Sequence, residues 1–175
     1  MPLALCRSCR VTDRNHWNIN VIGALVVLCN VLHEIPPTDW LNMFSALKDV
    51  LLPEGRFVII EDQEPSVGEL PHDKGFLLLN KDELTQLFGG NTAYVEDKSP
   101  GKGIANGRIS VLCVPHKHLK RAKQKTLSLA LKSLHARANG EVNKLRAAGA
   151  TEQRDGRRHA LYMLLAFNAN RAMPG

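Results

Sequence analysis

Two groups of polar side chains stand where apolar runs stop. Asn30, His33 and Glu34 follow the run ALVVLC at 24–29, and Glu61, Asp62 and Gln63 close the run RFVII at 56–60. A histidine whose ordinary pKa is about 6.5 exchanges a proton near neutrality, which makes His33 a candidate general base. Glu34 is a second ionisable group beside it. Each has a structural alternative: His33 as a cap or orienting group for the next helix, Glu34 as a solvated loop residue. Cys6 and Cys9 form a single CxxC. A structural zinc site takes four ligands, and the one close histidine pair, His116 and His118, is poorly spaced to complete it. These thiols therefore read as reduced surface groups, and no metal is expected. Cys29 and Cys113 lie in apolar runs and are expected to be buried as small hydrophobes.

The elements that position these residues follow from periodicity. The run ending at Asn30 is continuous, apolar and rich in β-branched residues, which predicts a strand buried on both faces. Pro36 and Pro37 cannot continue it. Thr38 or Asp39 is expected to cap a helix, in which Leu41, Phe44, Leu47 and Leu51 recur at helical spacing until Pro53-Glu54-Gly55. The strand at 56–61 follows at once. Strand, helix and strand with short connections make a βαβ unit with parallel strands. A loop at 62–80 precedes a short helix capped by Asn80 or Asp82 and ending at Phe88-Gly89-Gly90. Residues 91–96 and 108–114 then read as two strands joined by a long hairpin loop and running antiparallel. In open sheets of this kind ligands bind beyond the carboxyl ends of the parallel strands. Both polar groups lie there.

This order, with the motifs "VVLCNVLHEIPP" and "ALKDVLLPEGRFVIIED", resembles the class I S-adenosylmethionine-dependent methyltransferase family. The first motif is similar to the family's fourth strand, which often reads as apolar residues, then Asn, then Val-Leu-His. The second is similar to its fifth strand, announced by Leu-x-Pro-x-Gly and closed by an acidic residue. The likeness spans roughly half the chain, and covers the C-terminal half of such a domain. The fold class it implies is α/β: a partial Rossmann-like methyltransferase sheet of two parallel strands plus an antiparallel C-terminal hairpin, followed by an α-helical extension. It further implies S-adenosylmethionine as cofactor, lined by Cys29 and Asn30, with His33 and Glu34 near the methyl acceptor. Asp13, after Arg10-Val11-Thr12, falls where a third strand would end and corresponds to the adenine side.

The family's glycine-rich first turn, and the acidic residue that takes the ribose hydroxyls, have no counterpart before Gly23. Without those strands the run LVVLC presents an open sheet edge, which attracts other strands. Three outcomes are open: the helical tail covers that edge, a homo-oligomer or partner chain covers it, or the chain is a truncated product. The last is favoured.

Residues 1–115 carry 10 Lys and Arg against 14 Asp and Glu, and residues 116–175 carry 13 against 3. That reversal sets the expected boundary: a partial methyltransferase-like domain at 1–115 and a basic helical extension at 116–175. In the extension a helix over 117–138 is expected to stop at Asn139-Gly140, followed by a shorter helix at 141–148 and a nearly all-round apolar one at 157–172. The run holding Lys117, Lys120, Arg121, Lys123 and Lys125 could meet phosphates electrostatically, but it lacks interleaved aromatics to stack on bases. A solvated helix face is the preferred reading, and nucleic acid is not favoured as a partner.

No run of about 18 apolar residues exists, so no membrane partner is expected. The start of the chain is too short in apolar residues for a signal peptide, which makes a cytoplasmic protein the expectation. The functional expectation is methyl transfer from S-adenosylmethionine to an unidentified acceptor, or an inactive truncated form of such an enzyme. The alternative is a non-catalytic methyltransferase-like binding module whose basic tail contacts RNA or an acidic partner.

Overall fold

The structure, a computed structural model, describes residues 23–63, 77–99, 109–149 and 153–173. Strand β1 (Gly23–Cys29) leads through a 3-10 turn (Leu32–Glu34) into helix α1 (Pro37–Val50) and strand β2 (Leu51–Asp62). Helix α2 (Lys81–Leu87), strand β3 (Glu96–Asp97) and strand β4 (Ile109–Pro115) complete the sheet region. Helices α3 (His116–Leu119), α4 (Gln124–Ala147) and α5 (Gln153–Ala172) follow. The sheet is mixed, in the order β1-β2-β4-β3, with β1 parallel to β2 and the other pairs antiparallel. The parallel pair around one helix and the antiparallel finish are those expected from the sequence.

Register sorts the strand side chains onto two faces. Val26 lies beside Phe57 and Leu28 beside Ile59, and these two are flanked in turn by Val114 and Leu112. This face carries the helices: Phe44 of α1 meets Phe57 at 5.8 Å between ring centroids and Phe88, just past α2, at 5.1 Å. Leu127, Leu131 and Leu134 of α4 belong to the same continuous cluster of buried residues. On the opposite face Val58, Ile60, Ile109 and Val111 are half-buried, while Leu25 and Val27 are 58% and 44% exposed. The expected burial of β1 on both faces is therefore corrected. Among the described residues β1 is an edge strand with one covered face, and its Cys29 is exposed, whereas Cys113 is buried as expected.

Local sequence explains most element ends, and several differ from expectation. The helix expected from 117 is divided into α3 and α4, where Lys123 N donates to the Thr126 hydroxyl at the start of α4. Strand β2 begins at Leu51, ahead of Pro53-Glu54-Gly55. Helix α1 starts at Pro37, ahead of Thr38 and Asp39, and no side chain caps it. Proline fits the first helical position because that turn has no partner for the missing N–H. Trp40 donates from Nε1 to the Ile35 carbonyl at 2.9 Å and fixes the entry of the chain. Residues 91–96 form mainly a second 3-10 turn (Thr92–Tyr94), because the Asn91 side chain accepts from Ala93 N and bends the backbone. Finally, α4 runs straight through Asn139-Gly140. Ala138 and Val142 are buried on either side of that pair, so packing outweighs the local stop signal.

Helix α2 has the expected Asn80 cap, completed as a capping box with Glu83. Glu83 is buried, and Arg137 of α4 donates to both its carboxylate oxygens and to the Leu78 carbonyl. One ion pair thus ties the cap of α2 to α4. Among the described residues no helix is long and apolar enough to cross a membrane.

Candidate functional site

The carboxyl ends of β1 and β2 are adjacent, and the chain turns sharply there. Asn30 takes a left-handed backbone with φ of 51°, a conformation asparagine tolerates better than most residues, and its N–H donates to Ile60 O at 2.8 Å. The turn points the next two backbone N–H groups, from Val31 and Leu32, at one oxygen of Glu61, at 3.1 and 2.7 Å. The other carboxylate oxygen lies 2.6 Å from His33 Nδ1. His33 and Glu61 are 4% and 2% exposed, so the pair sits in the interior. Glu61 is buried because its register places it beside Ser110 on the helix-covered face, and the Ser110 hydroxyl donates to the Glu61 carbonyl.

This geometry points to one tautomer. A carboxylate that takes two backbone N–H groups on one oxygen is acting as an acceptor, so the hydrogen between it and the ring resides on His33 Nδ1. The neutral ring then has Nε2 as its basic nitrogen. A carboxylate on one side of an imidazole orients it and stabilises the charged ring after it takes a proton. The arrangement is chemically a base held by an acid residue.

Of the residues singled out from sequence, Cys29, Asn30 and His33 come together at this strand end. Cys29 and Asn30 are exposed there, and Cys29 pairs with Ile60 on the sheet face opposite to that of Glu61. Glu34 is exposed on the 3-10 turn and plays no part in the His33–Glu61 contact. Asp13, like Cys6 and Cys9, lies outside the described residues. Sequence reasoning placed Glu61 at the strand end but gave it no role. It was legible as an acidic strand end, but its partnership with His33 spans 28 residues and is created by the pairing of β1 with β2. Asp62, next to it, is buried on the other face.

A second polar cluster stands at the junction of the sheet and the tail. Tyr94 stacks on His118 at 4.3 Å between centroids, and the Arg121 guanidinium lies 3.9 Å over the Tyr94 ring. Burial, and then Lys117, Arg121 and Lys120, push the His118 pKa below its ordinary 6.5. Lys117, Lys120, Lys123 and Lys125 around it are all exposed. Among the described residues no cluster of His, Cys, Asp and Glu is arranged to hold a metal ion. Compared with known protein families, curated proteins and solved structures, the chain matches none of them.

Proposed function

We propose that the chain provides the acceptor side of a class I methyltransferase-like site, with His33 as the base and Glu61 holding it. The observation that carries this reading is the buried His33–Glu61 contact at the carboxyl ends of two adjacent parallel strands. The α/β order with an antiparallel finish supports it, as do the two motifs. The positively charged sulfonium of S-adenosylmethionine is compatible with the exposed Asn30 at this strand end, beside the Glu61 carboxylate, while the Cys29 thiol lies on the opposite sheet face. When bound, that cofactor supplies an electrophilic methyl group. His33 would take the acceptor's proton at Nε2, an atom that is buried in this structure and has to be uncovered for the acceptor to reach it, and Glu61 would stabilise the resulting imidazolium.

The test is ligand-induced stabilisation of the whole chain by S-adenosylmethionine and S-adenosylhomocysteine, followed by calorimetry. A ligand that binds only the folded state raises its stability, by about 2.7 kcal/mol at a hundredfold excess over Kd. A rise in Tm with both ligands is expected. Absence of any shift, together with salt-sensitive RNA binding, replaces this reading with the binding-module one, which the exposed lysines 117, 120, 123 and 125 favour.

A further inference from the structure

The basic run at the start of the tail holds no Tyr, Trp or Phe of its own, and the fold supplies one. Lys117, Lys120, Arg121, Lys123 and Lys125 span α3, the turn after it and the first turn of α4, and all are exposed. Lys117, Lys120 and Arg121 are three and four positions apart, so they share one side of that turn. Lys132, also exposed, extends the face of Lys125 two turns along α4. The second 3-10 turn brings Tyr94 against this run, stacked on His118 and underneath the Arg121 guanidinium. Arg121 Nε also donates to His118 Nδ1 at 3.3 Å, so an exposed arginine is held in place by a ring and a hydrogen bond.

No carboxylate neutralises this corner. The acidic groups next to Tyr94 in sequence are engaged elsewhere, Glu96 with Lys98 at 3.5 Å and Asp97 with Lys81 at 2.9 Å. Among the described residues, lysines 117, 120, 123, 125 and 132 meet no acidic side chain. Like charges held this close repel one another, a cost that a polyanion relieves.

We propose that this corner binds single-stranded nucleic acid, with the lysines on successive phosphates and the Arg121 guanidinium as the plane on which a base stacks. Lysines alone would suit an anionic lipid surface equally well. A planar cation fixed over a ring among them offers a stacking surface, which a lipid headgroup cannot use and an unpaired base can. A helix lying in a membrane surface needs a row of apolar side chains to insert, and on α4 only Leu129, at 48%, is a large apolar side chain left exposed. The corner is distinct from the His33 site: Pro115, where α3 begins, lies beside Arg56, at the other end of β2 from Glu61. The proposal therefore does not rest on methyl transfer.

Fluorescence anisotropy of the full chain with a labelled oligouridine of about 15 nucleotides tests it. Between about 50 and about 200 mM salt, log Kd is expected to rise with log salt concentration at a slope of about 3, the value for about four phosphate contacts. Lys120→Gln and Lys123→Gln are each expected to lower that slope by about 0.7, with unchanged helical circular dichroism. Arg121→Lys keeps the charge and loses the plane, and is expected to weaken binding about fivefold at an unchanged slope. Lys144→Gln removes the same charge at the far end of α4 and is expected to leave binding as it was. A wild-type chain that does not bind at low salt overturns the proposal. So does binding that Lys144→Gln weakens as much as Lys120→Gln, which would be attraction to net charge alone, or an Arg121→Lys variant equal to the wild type. A chain that ignores the oligonucleotide and sediments with phosphatidylserine vesicles overturns it in favour of a membrane surface.

Discussion

At the scale of single residues, the decisive atom is the second oxygen of Glu61. Glu61→Gln keeps one carbonyl oxygen for the N–H groups of Val31 and Leu32 but turns an NH2 towards His33 Nδ1. The ring must then accept at Nδ1 and carry its hydrogen on Nε2. Nitrogen chemical shifts of His33 in labelled protein are expected to report the Nδ1–H form in the wild type and the Nε2–H form in the variant. The loss of stability is expected to stay near 1–3 kcal/mol, the scale for disturbing a buried hydrogen-bonded group. A wild-type ring already in the Nε2–H form would remove His33 as the base. Asn30 and His33 were legible because a polar residue after an apolar run is conspicuous. Glu61 was conspicuous in the same way, yet its role was not, since which oxygen faces which nitrogen depends on strand register and not on sequence distance.

At the scale of elements, the clearest departure from local signals is α4. Asn139-Gly140 reads as a stop, but the Asn139 side chain turns back to bond His135 along the same helix, and Gly140 stays helical. A Cβ at Gly140 would meet nothing within 4 Å. Gly140→Ala is therefore expected to stabilise the chain by about 0.5–1 kcal/mol, through the smaller freedom of alanine in the unfolded state. Urea denaturation measures this directly, and a destabilised variant would mean that the helix bends there in solution. The opposite case is Gly55, where a Cβ would lie 2.8 Å from the Leu52 carbonyl and 3.3 Å from that of Ala24. That glycine keeps β1 and the start of β2 close. Helix and strand types could be read from periodicity over α1, α2, β2 and β4. The second 3-10 turn and the unbroken α4 could not, because one hydrogen bond to Asn91 and one buried valine decided them.

At the scale of the whole molecule, two titrations couple pH to folding in the same direction. His118 is harder to protonate in the folded chain than in the unfolded one, chiefly because it is buried. As pH falls below 6.5 the unfolded chain binds its proton first, so stability present above that pH declines. Asp97 is held at about 2, against an ordinary 3.8, by hydrogen bonds from the Ser99 hydroxyl and N–H and by Lys81. The stability it contributes is full above 3.8 and is lost as pH falls through about 2. Denaturant midpoints across that range are expected to fall in two steps. His118→Phe is expected to flatten the upper step and Asp97→Asn the lower. A His118→Phe curve parallel to the wild type between about pH 7 and about pH 5 would show that the stacked ring is not the group responsible. The α/β layout at this scale was legible from the order of elements. The exposure of Leu25 and Val27 on one face of β1 was not, because an apolar strand reads the same whether one of its faces or both are packed.

The turn at Asn30 also sets how this protein ages. Asparagine loses its side-chain amide when the backbone nitrogen of the following residue attacks the side-chain carbonyl carbon and closes a five-membered ring. Here that nitrogen belongs to Val31, and its N–H is held by the Glu61 carboxylate. While the strand ends stay joined the attacking atom is engaged and aimed away, so Asn30 is protected from conversion to aspartate. Each opening of the Asn30–Ile60 and Val31–Glu61 contacts releases it. The slow build-up of the deamidated form on storage therefore counts openings of this corner of the molecule, and any ligand that closes the strand ends should slow that clock.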